Sequence, residues 1–313
     1  MLDLLQITAG LVLLYFGGNY LVTGSVRLAR ALKISPFVIG ATVIAFGTSA
    51  PELAVAILAA LKGTSELAMG NILGSNIANI GLILGLTVQI ATLSINPNRL
   101  KRESPPLVLA SLFILVVAWD LEINRYEGIF MLLLLAIYIY RSFSNKEEFV
   151  GDQEDDVLLF AEKSSPYQVL LIMVGLTFLI VGAQLLVAGG VGIARRFEIS
   201  EWFIGITIVA IGTSLPELVS SVIAAKRGHG ELAIGNIFGS NIFNILMVLG
   251  LTASIHPLQV NEPIHPDLII ATAITGLLLV FIRYGNYSLG KVNGVILLTI
   301  YLLYVGLKGI GII

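Results

Sequence analysis

The sequence predicts an all-α integral membrane protein whose ten transmembrane helices form two inverted-topology repeats of five. Three observations carry that prediction. Hydrophobic residues make up 57% of the 313 positions and charged ones only 12%, and the apolar runs are about 20 residues long, enough to cross a bilayer as helix. Helices satisfy their own backbone groups in lipid. Residues 37–86 align with 202–251 at a constant offset of 165, with no gap and 28 of 50 positions identical. Inside each copy, an apolar segment carries one polar signature: Gly47-Thr48-Ser49-Ala50-Pro51-Glu52 recurs as Gly212-Thr213-Ser214-Leu215-Pro216-Glu217.

Taken in order, a first span over roughly 3–26 begins without the basic region of a cleavable signal peptide. The second, 37–60, holds the signature, and the third, 67–92, holds Gly70-Asn71-x-x-Gly74-Ser75-Asn76-Ile77-x-Asn79. Spans over 105–120 and 127–141 complete a first half, 1–141. Residues 142–165 are strongly polar and include Asp152, Glu154, Asp155 and Asp156. Their spacing lacks the glycine and ordered ligands of an EF-hand loop, so they read as a solvated cytoplasmic linker. The second half, 166–313, repeats the plan with spans over 167–192, 202–225, 232–254, 267–283 and 292–312. Five spans per half start the second half on the opposite side, which makes the repeats inverted. That architecture places a site near the bilayer midplane at the repeat interface.

Basic residues orient the chain. Alternate loops hold 13 lysines and arginines on one side and 5 on the other; the richer side is expected in the cytoplasm, with both termini outside a cell membrane. Cysteine is absent, which excludes disulfides and thiolate metal sites. Trp119, Trp202, Tyr126 and Tyr284 are placed as interface anchors, and Asp120 and Glu122 as solvated outer-loop residues. Glu66 and Glu231, matched between the halves, stand at helix starts, where a negative charge is favourable.

The signature is built from oxygen donors. Proline removes the bond to the carbonyl four residues back, which for Pro51 is Gly47 and for Pro216 is Gly212. The helices should break there and free carbonyls near Ala45–Thr48 and Ala210–Thr213, beside the hydroxyls of Thr48, Ser49, Thr213 and Ser214 and the carboxylates of Glu52 and Glu217. Hard cations such as Na+ and Ca2+ take such ligands. A carboxylate in mid-membrane is costly unless it meets a partner or a watery path. Facing this wall, Asn71, Ser75 and Asn79 fall four residues apart on one helix stripe, repeated as Asn236, Ser240 and Asn244. Gly70, Gly74, Gly235 and Gly239 offer small surfaces for close helix approach.

These paired motifs resemble the alpha-1 and alpha-2 repeats of the sodium/calcium exchangers in the calcium/cation antiporter superfamily, and the resemblance covers the whole chain. It implies alternating-access exchange of three Na+ for one Ca2+, with the ions as substrates and no cofactor. Carried over by motif position, Glu52 and Glu217 are the central calcium ligands and Thr48 and Thr213 contribute carbonyls. Ala45, Ser49 and Ser75, with Ala210, Ser214 and Ser240, line flanking sodium sites, and Asn79 and Asn244 complete the cluster. Some relatives, the potassium-dependent exchangers among them, carry Asp at the position of Asn244. With only two carboxylates left, one Ca2+ or two Na+ balance the core. The resemblance assigns gating to spans one and six, whose Gly17, Gly18, Gly24, Gly182, Gly189 and Gly190 would give close, slippery packing against a core of spans two, three, seven and eight.

Two other readings stay open. Buried glutamates also bind protons, which makes a proton/calcium antiporter the alternative, although the proton-coupled branch resembles G-N-x-x-E rather than G-T-S-x-P-E. An intramembrane hydrolase using Glu52 and Glu217 as an acid/base pair would need water-activating chemistry, and His229, His256 and His265 all lie near loops. The expected partners are Na+, Ca2+ and the lipid bilayer, with no nucleic acid; the oligomeric state stays open, a monomer being compatible with the sequence.

Overall fold

A computed structural model describes residues 2–144, 165–197, 210–261 and 263–312. The acidic stretch 152–156, Trp202 and the first part of the expected span 202–225 lie outside the described residues. Twelve helices occur among those described: α1 Leu2–Leu32, α2 Pro36–Thr48, α3 Ala50–Leu61, α4 Ser65–Ile90, α5 Pro97–Val117, α6 Arg125–Ser144, α7 Ser165–Arg196, α8 Ala210–Thr213, α9 Leu215–Lys226, α10 Gly230–Ile255, α11 His265–Tyr284 and α12 Lys291–Gly309. Eight of them are long and apolar enough to cross a membrane, and α2 with α3, bent by 42°, makes a ninth.

Local chemistry sets the helix ends. Ser35 caps α2 by accepting the Val38 amide (3.3 Å), with Pro36 in the first turn. Asn96 caps α5 by accepting the Asn98 amide (2.9 Å), followed by Pro97; this fits the preference for Ser and Asn caps with proline just inside. That cap moves the start of α5 to residue 97, eight residues ahead of its apolar run. The added turns carry Arg99, Lys101, Arg102 and Glu103, which an apolar stretch of sequence cannot reveal. Gly63 and Gly228 end the turns after α3 and α9 with φ of +74° and +78°, a conformation that glycine adopts without strain.

Four two-residue strands close the ends: β1 Leu93–Ser94, β2 Glu122–Ile123, β3 Leu258–Gln259 and β4 Ser288–Leu289. β1 pairs antiparallel with β4, and β2 with β3. Each ribbon therefore joins the two halves of the chain. α4 begins near β3, where Glu66 accepts from the Asn261 amide (3.2 Å) and Nδ2 (3.1 Å), and it ends at β1. α10 runs the other way, from the Arg99–Glu231 ion pair beside β1 to β3. Both matched glutamates thus fasten a helix start to the other half, Glu66 to the segment after β3 and Glu231 to the first turn of α5.

α10 is buried along its whole membrane-length window. α2 lies flat on it, because a Cβ on Gly40 would reach the Asn236 amide at 2.9 Å and one on Gly239 would reach Ala41 Cα at 2.6 Å. Phe37 and Phe238 meet edge to face at 5.8 Å. Gly235 and Gly239 therefore serve close approach as expected. Gly70 and Gly74 do not: among the described residues nothing lies within 4 Å of a Cβ placed there.

The expectation for the gating glycines is also corrected. Gly17, Gly24, Gly182 and Gly189 face the partner gating helix rather than the core. A Cβ on Gly17 would meet Gly175 O at 2.9 Å, and one on Gly182 would meet Gly10 O at 2.9 Å. These contacts run the length of α1 and α7 and join them as an antiparallel pair. Gly18 does point at the core, against Val219 and Ile223 of α9. Trp119, Tyr126 and Tyr284 are exposed, as interface anchors require.

Candidate functional site

Each signature breaks its helix at one residue. Ser49 (φ −80°, ψ 3°) separates α2 from α3, and Ser214 (φ −91°, ψ 6°) separates α8 from α9. Pro51 and Pro216 are the second residues of the helices that follow, where proline is tolerated. The Ala45 carbonyl keeps a partner, the Ser49 amide at 3.0 Å, so it is not freed as expected. The Gly47 carbonyl is the one deprived of its helical donor, because that donor would be Pro51.

The two breaks face each other. Ser214 Oγ donates to Glu52 Oε1 at 3.4 Å, and the Thr213 hydroxyl lies beside the same carboxyl. In the reciprocal arrangement, the hydroxyls of Thr48 and Ser49 lie beside Glu217. Each carboxylate therefore crosses to the hydroxyl pair of the other half. Glu52 and Glu217 are both 1% exposed and close enough to repel each other.

α4 and α10 form the remaining walls. Asn79 and Asn244 each open a π-helical turn, Asn79–Leu84 and Asn244–Leu249, a distortion that often marks functional sites. The first turn packs against α9 and α10, the second against α3 and α4. Ser75, Asn79, Ser240 and Asn244 are all buried. Asn71, half-buried, donates to the Glu52 backbone carbonyl at 3.2 Å. Of the expected ligands, Thr48, Ser49, Glu52, Thr213, Ser214 and Glu217 meet at the breaks. Ala45 lies one turn before the first break with its carbonyl bonded, and Ser75, Asn79, Ser240 and Asn244 lie on the helices packed around them. Ala210 begins α8, and its side chain is outside the described residues.

At the breaks and on the helices around them, Ser49 Oγ, Glu52 Oε2, both Glu217 carboxylate oxygens, Ser240 Oγ and the amide atoms of Asn79 and Asn244 are buried without a hydrogen bond to the described residues, whereas elsewhere such atoms are scattered singly, as at Ser25 Oγ. Buried polar groups are almost always paired, so an unpaired set concentrated in one place needs a ligand to explain it. Its donors are hydroxyl, amide and carboxylate oxygens, which suit hard cations. No group of three His, Cys, Asp or Glu side chains positioned to hold a metal exists among the described residues. Sequence reasoning missed the two π turns and also Ser220 and Ser221, which contact Asn236. The available signal was a departure from the repeat, since Val55 and Ala56 stand at the matching positions.

Membrane-spanning helices, two facing breaks and an oxygen-lined pocket with two carboxylates define a cation-transporting membrane protein. The chain matches the family "Sodium/calcium exchanger protein" over residues 2–144 and 167–309, and it belongs to that family of exchangers, which are transporters rather than enzymes. It is 32% identical to the sodium/calcium exchanger MaX1 of Methanosarcina acetivorans over 340 aligned positions, covering 96% of this chain and 97% of that one. The inner membrane protein YrbG of Escherichia coli is 36% identical over 258, covering 80% and 79%. Among solved structures, the sodium-calcium exchanger NCX_Mj soaked with 10 mM Na+ and zero Ca2+ superposes with a TM-score of 0.86 at 33% identity, covering 97% of this chain and 98% of that one.

Proposed function

We propose that this chain is a secondary antiporter that exchanges three Na+ for one Ca2+ by alternating access and is therefore electrogenic. The observation that carries the reading is the reciprocal crossing at the breaks, where Glu52 faces Thr213 and Ser214 while Glu217 faces Thr48 and Ser49. Removing such carboxylates from water costs several kcal/mol each unless charge compensates them, and Ca2+ or Na+ supplies that charge. Glu52 and Glu217 bind Ca2+ at the centre. Thr48 and Thr213 add oxygens; Ala45, Ser49, Ser75, Ala210, Ser214 and Ser240 line the flanking Na+ sites; Asn79 and Asn244 close the cluster. NCX_Mj, similar along its whole length, was soaked with Na+ and with Na+ plus Ca2+.

Ten spans in two inverted halves, 1–141 and 166–313 around the cytoplasmic loop 142–165, suit this activity. The opposed directions of α4 and α10 and the exchange of strands between halves support inverted halves, and the distribution of lysine and arginine supports both termini outside. The glycine-welded pair α1 and α7 slides as a unit across α2, α3, α4, α9 and α10, opening the site to one side at a time.

The test is calcium-45 uptake into proteoliposomes loaded with Na+, against K+-loaded vesicles and vesicles with an acid interior. Uptake should require internal Na+, and Glu52→Gln should reduce it to the level of empty vesicles. Uptake driven by the proton gradient alone would instead establish proton/calcium exchange.

A further inference from the structure

Beside the pocket, the second half holds a directional hydrogen-bond chain that the first half lacks. In α9 the Ser220 hydroxyl donates to the Glu217 backbone carbonyl at 3.0 Å. A hydroxyl has one proton, so toward Asn236 the Ser220 oxygen can only accept. Asn236 Nδ2 reaches it at 3.1 Å and reaches Ser221 Oγ at 3.0 Å. The amide is thereby oriented by its neighbours' chemistry, since the distances alone do not distinguish its oxygen from its nitrogen. Its Oδ1 is left facing Thr48, whose hydroxyl donates to it across 3.5 Å. Ser220, Ser221, Asn236 and Thr48 are each at most 1% exposed, so water does not compete for these bonds.

The first half is built differently. Val55 and Ala56 replace the two serines, and Asn71 donates to the Glu52 backbone carbonyl instead. The carboxylates differ accordingly. Glu52 Oε1 accepts from Ser214 at 3.4 Å, whereas the Thr48 and Ser49 hydroxyls lie beside Glu217 without a hydrogen bond of that geometry to either of its oxygens. We propose that Ser220, assisted by Ser221, is a positioning residue: through Asn236 it draws the Thr48 proton away from Glu217, so that this proton occupies no Glu217 oxygen and the Thr48 lone pairs face the cation.

The two symmetric-looking halves of the site are then unequal. On the Glu217 side the Thr48 hydroxyl is turned away in advance, while no such chain holds the hydroxyls that face Glu52, where Ser214 donates to the carboxylate. Without the Ser220 oxygen the Asn236 amide is free to turn over and present N–H groups to Thr48. The Thr48 proton then falls to Glu217 and occupies an oxygen the cation would use.

This inference rests on the sodium/calcium reading, and wild-type exchange in the same proteoliposomes is the control that separates the two. Absent wild-type exchange overturns both. With wild-type exchange present, Ser220→Ala should raise the Ca2+ and Na+ concentrations for half-maximal exchange roughly fivefold, the worth of one hydrogen bond, while maximal turnover stays within about twofold. Ser220→Thr, which keeps the hydroxyl, should restore wild-type affinity. An unshifted half-saturation in folded Ser220→Ala, a loss confined to turnover, or a failure of threonine to rescue overturns the relay. If Ser220→Ala is not recovered folded, Ser221→Ala tests the other amide acceptor; it should shift affinity in the same direction by roughly twofold, and no shift overturns the proposal.

Discussion

In the proposed site, Glu52 and Glu217 would set how much cation charge is neutralised, and with Asn at position 244 the number of carboxylates stops at two. Asn244 is 1% exposed, and both polar atoms of its amide lack a hydrogen-bond partner among the described residues. Asn244→Asp replaces one of these atoms with a charged oxygen at nearly constant volume. A third carboxylate attracts a divalent ion more strongly than a monovalent one, so the variant should bind Ca2+ about tenfold more tightly, roughly 1.4 kcal/mol, and release it more slowly. The signature is a lower Ca2+ half-saturation together with a lower maximal rate, read in the calcium-45 assay. An unchanged half-saturation with folded protein would place Asn244 outside the ion's first contacts.

At the level of elements, the helix break and the π turn do complementary work: the break turns hydroxyls and a carbonyl inward, and the π turn re-aims Asn79 and Asn244. The break was legible in sequence, because proline removes a donor at a definable place. The π turns were not, since Asn79-Ile80-Gly81 and Asn244-Ile245-Leu246 share no residue chemistry that demands a wider turn. The eight or nine described spans were legible from length and hydropathy, except where polar turns extend α5, and the expected span 202–225 lies partly outside the described residues. Glycine content showed that α1 and α7 pack closely but not against what, because small residues are silent about their partner. Their mutual packing makes a prediction. Tyr20 and Phe178 lie 6.1 Å apart between ring centroids across the pair, so a short crosslink between Tyr20→Cys and Phe178→Cys should leave exchange near wild type. A crosslink between Gly18→Cys and Val219→Cys, which ties α1 to α9, should abolish exchange until the link is reduced. Equal activity in both crosslinked forms would refute movement of the pair as a unit.

For the whole molecule, the balance between carboxylates and ions decides how transport couples to voltage. Two carboxylates are neutral with one Ca2+ and would carry one net positive charge with three Na+, so under the proposed three-for-one stoichiometry a complete cycle moves one elementary charge. Such a charge is worth about 2.3 kcal/mol per 100 mV, and about 1.4 kcal/mol is tenfold in an equilibrium. Ca2+ entering a vesicle against three leaving Na+ carries net positive charge outward, so an inside-positive potential favours accumulation. With Na+ concentrations held fixed and the membrane clamped near +100 mV inside by a potassium gradient and valinomycin, the equilibrium ratio of internal to external Ca2+ should rise about fiftyfold above its value at zero potential. A two-for-one exchange would move no net charge, and the ratio would not change. The outcome therefore decides whether an architecture with two acidic side chains at its centre carries the third Na+ uncompensated.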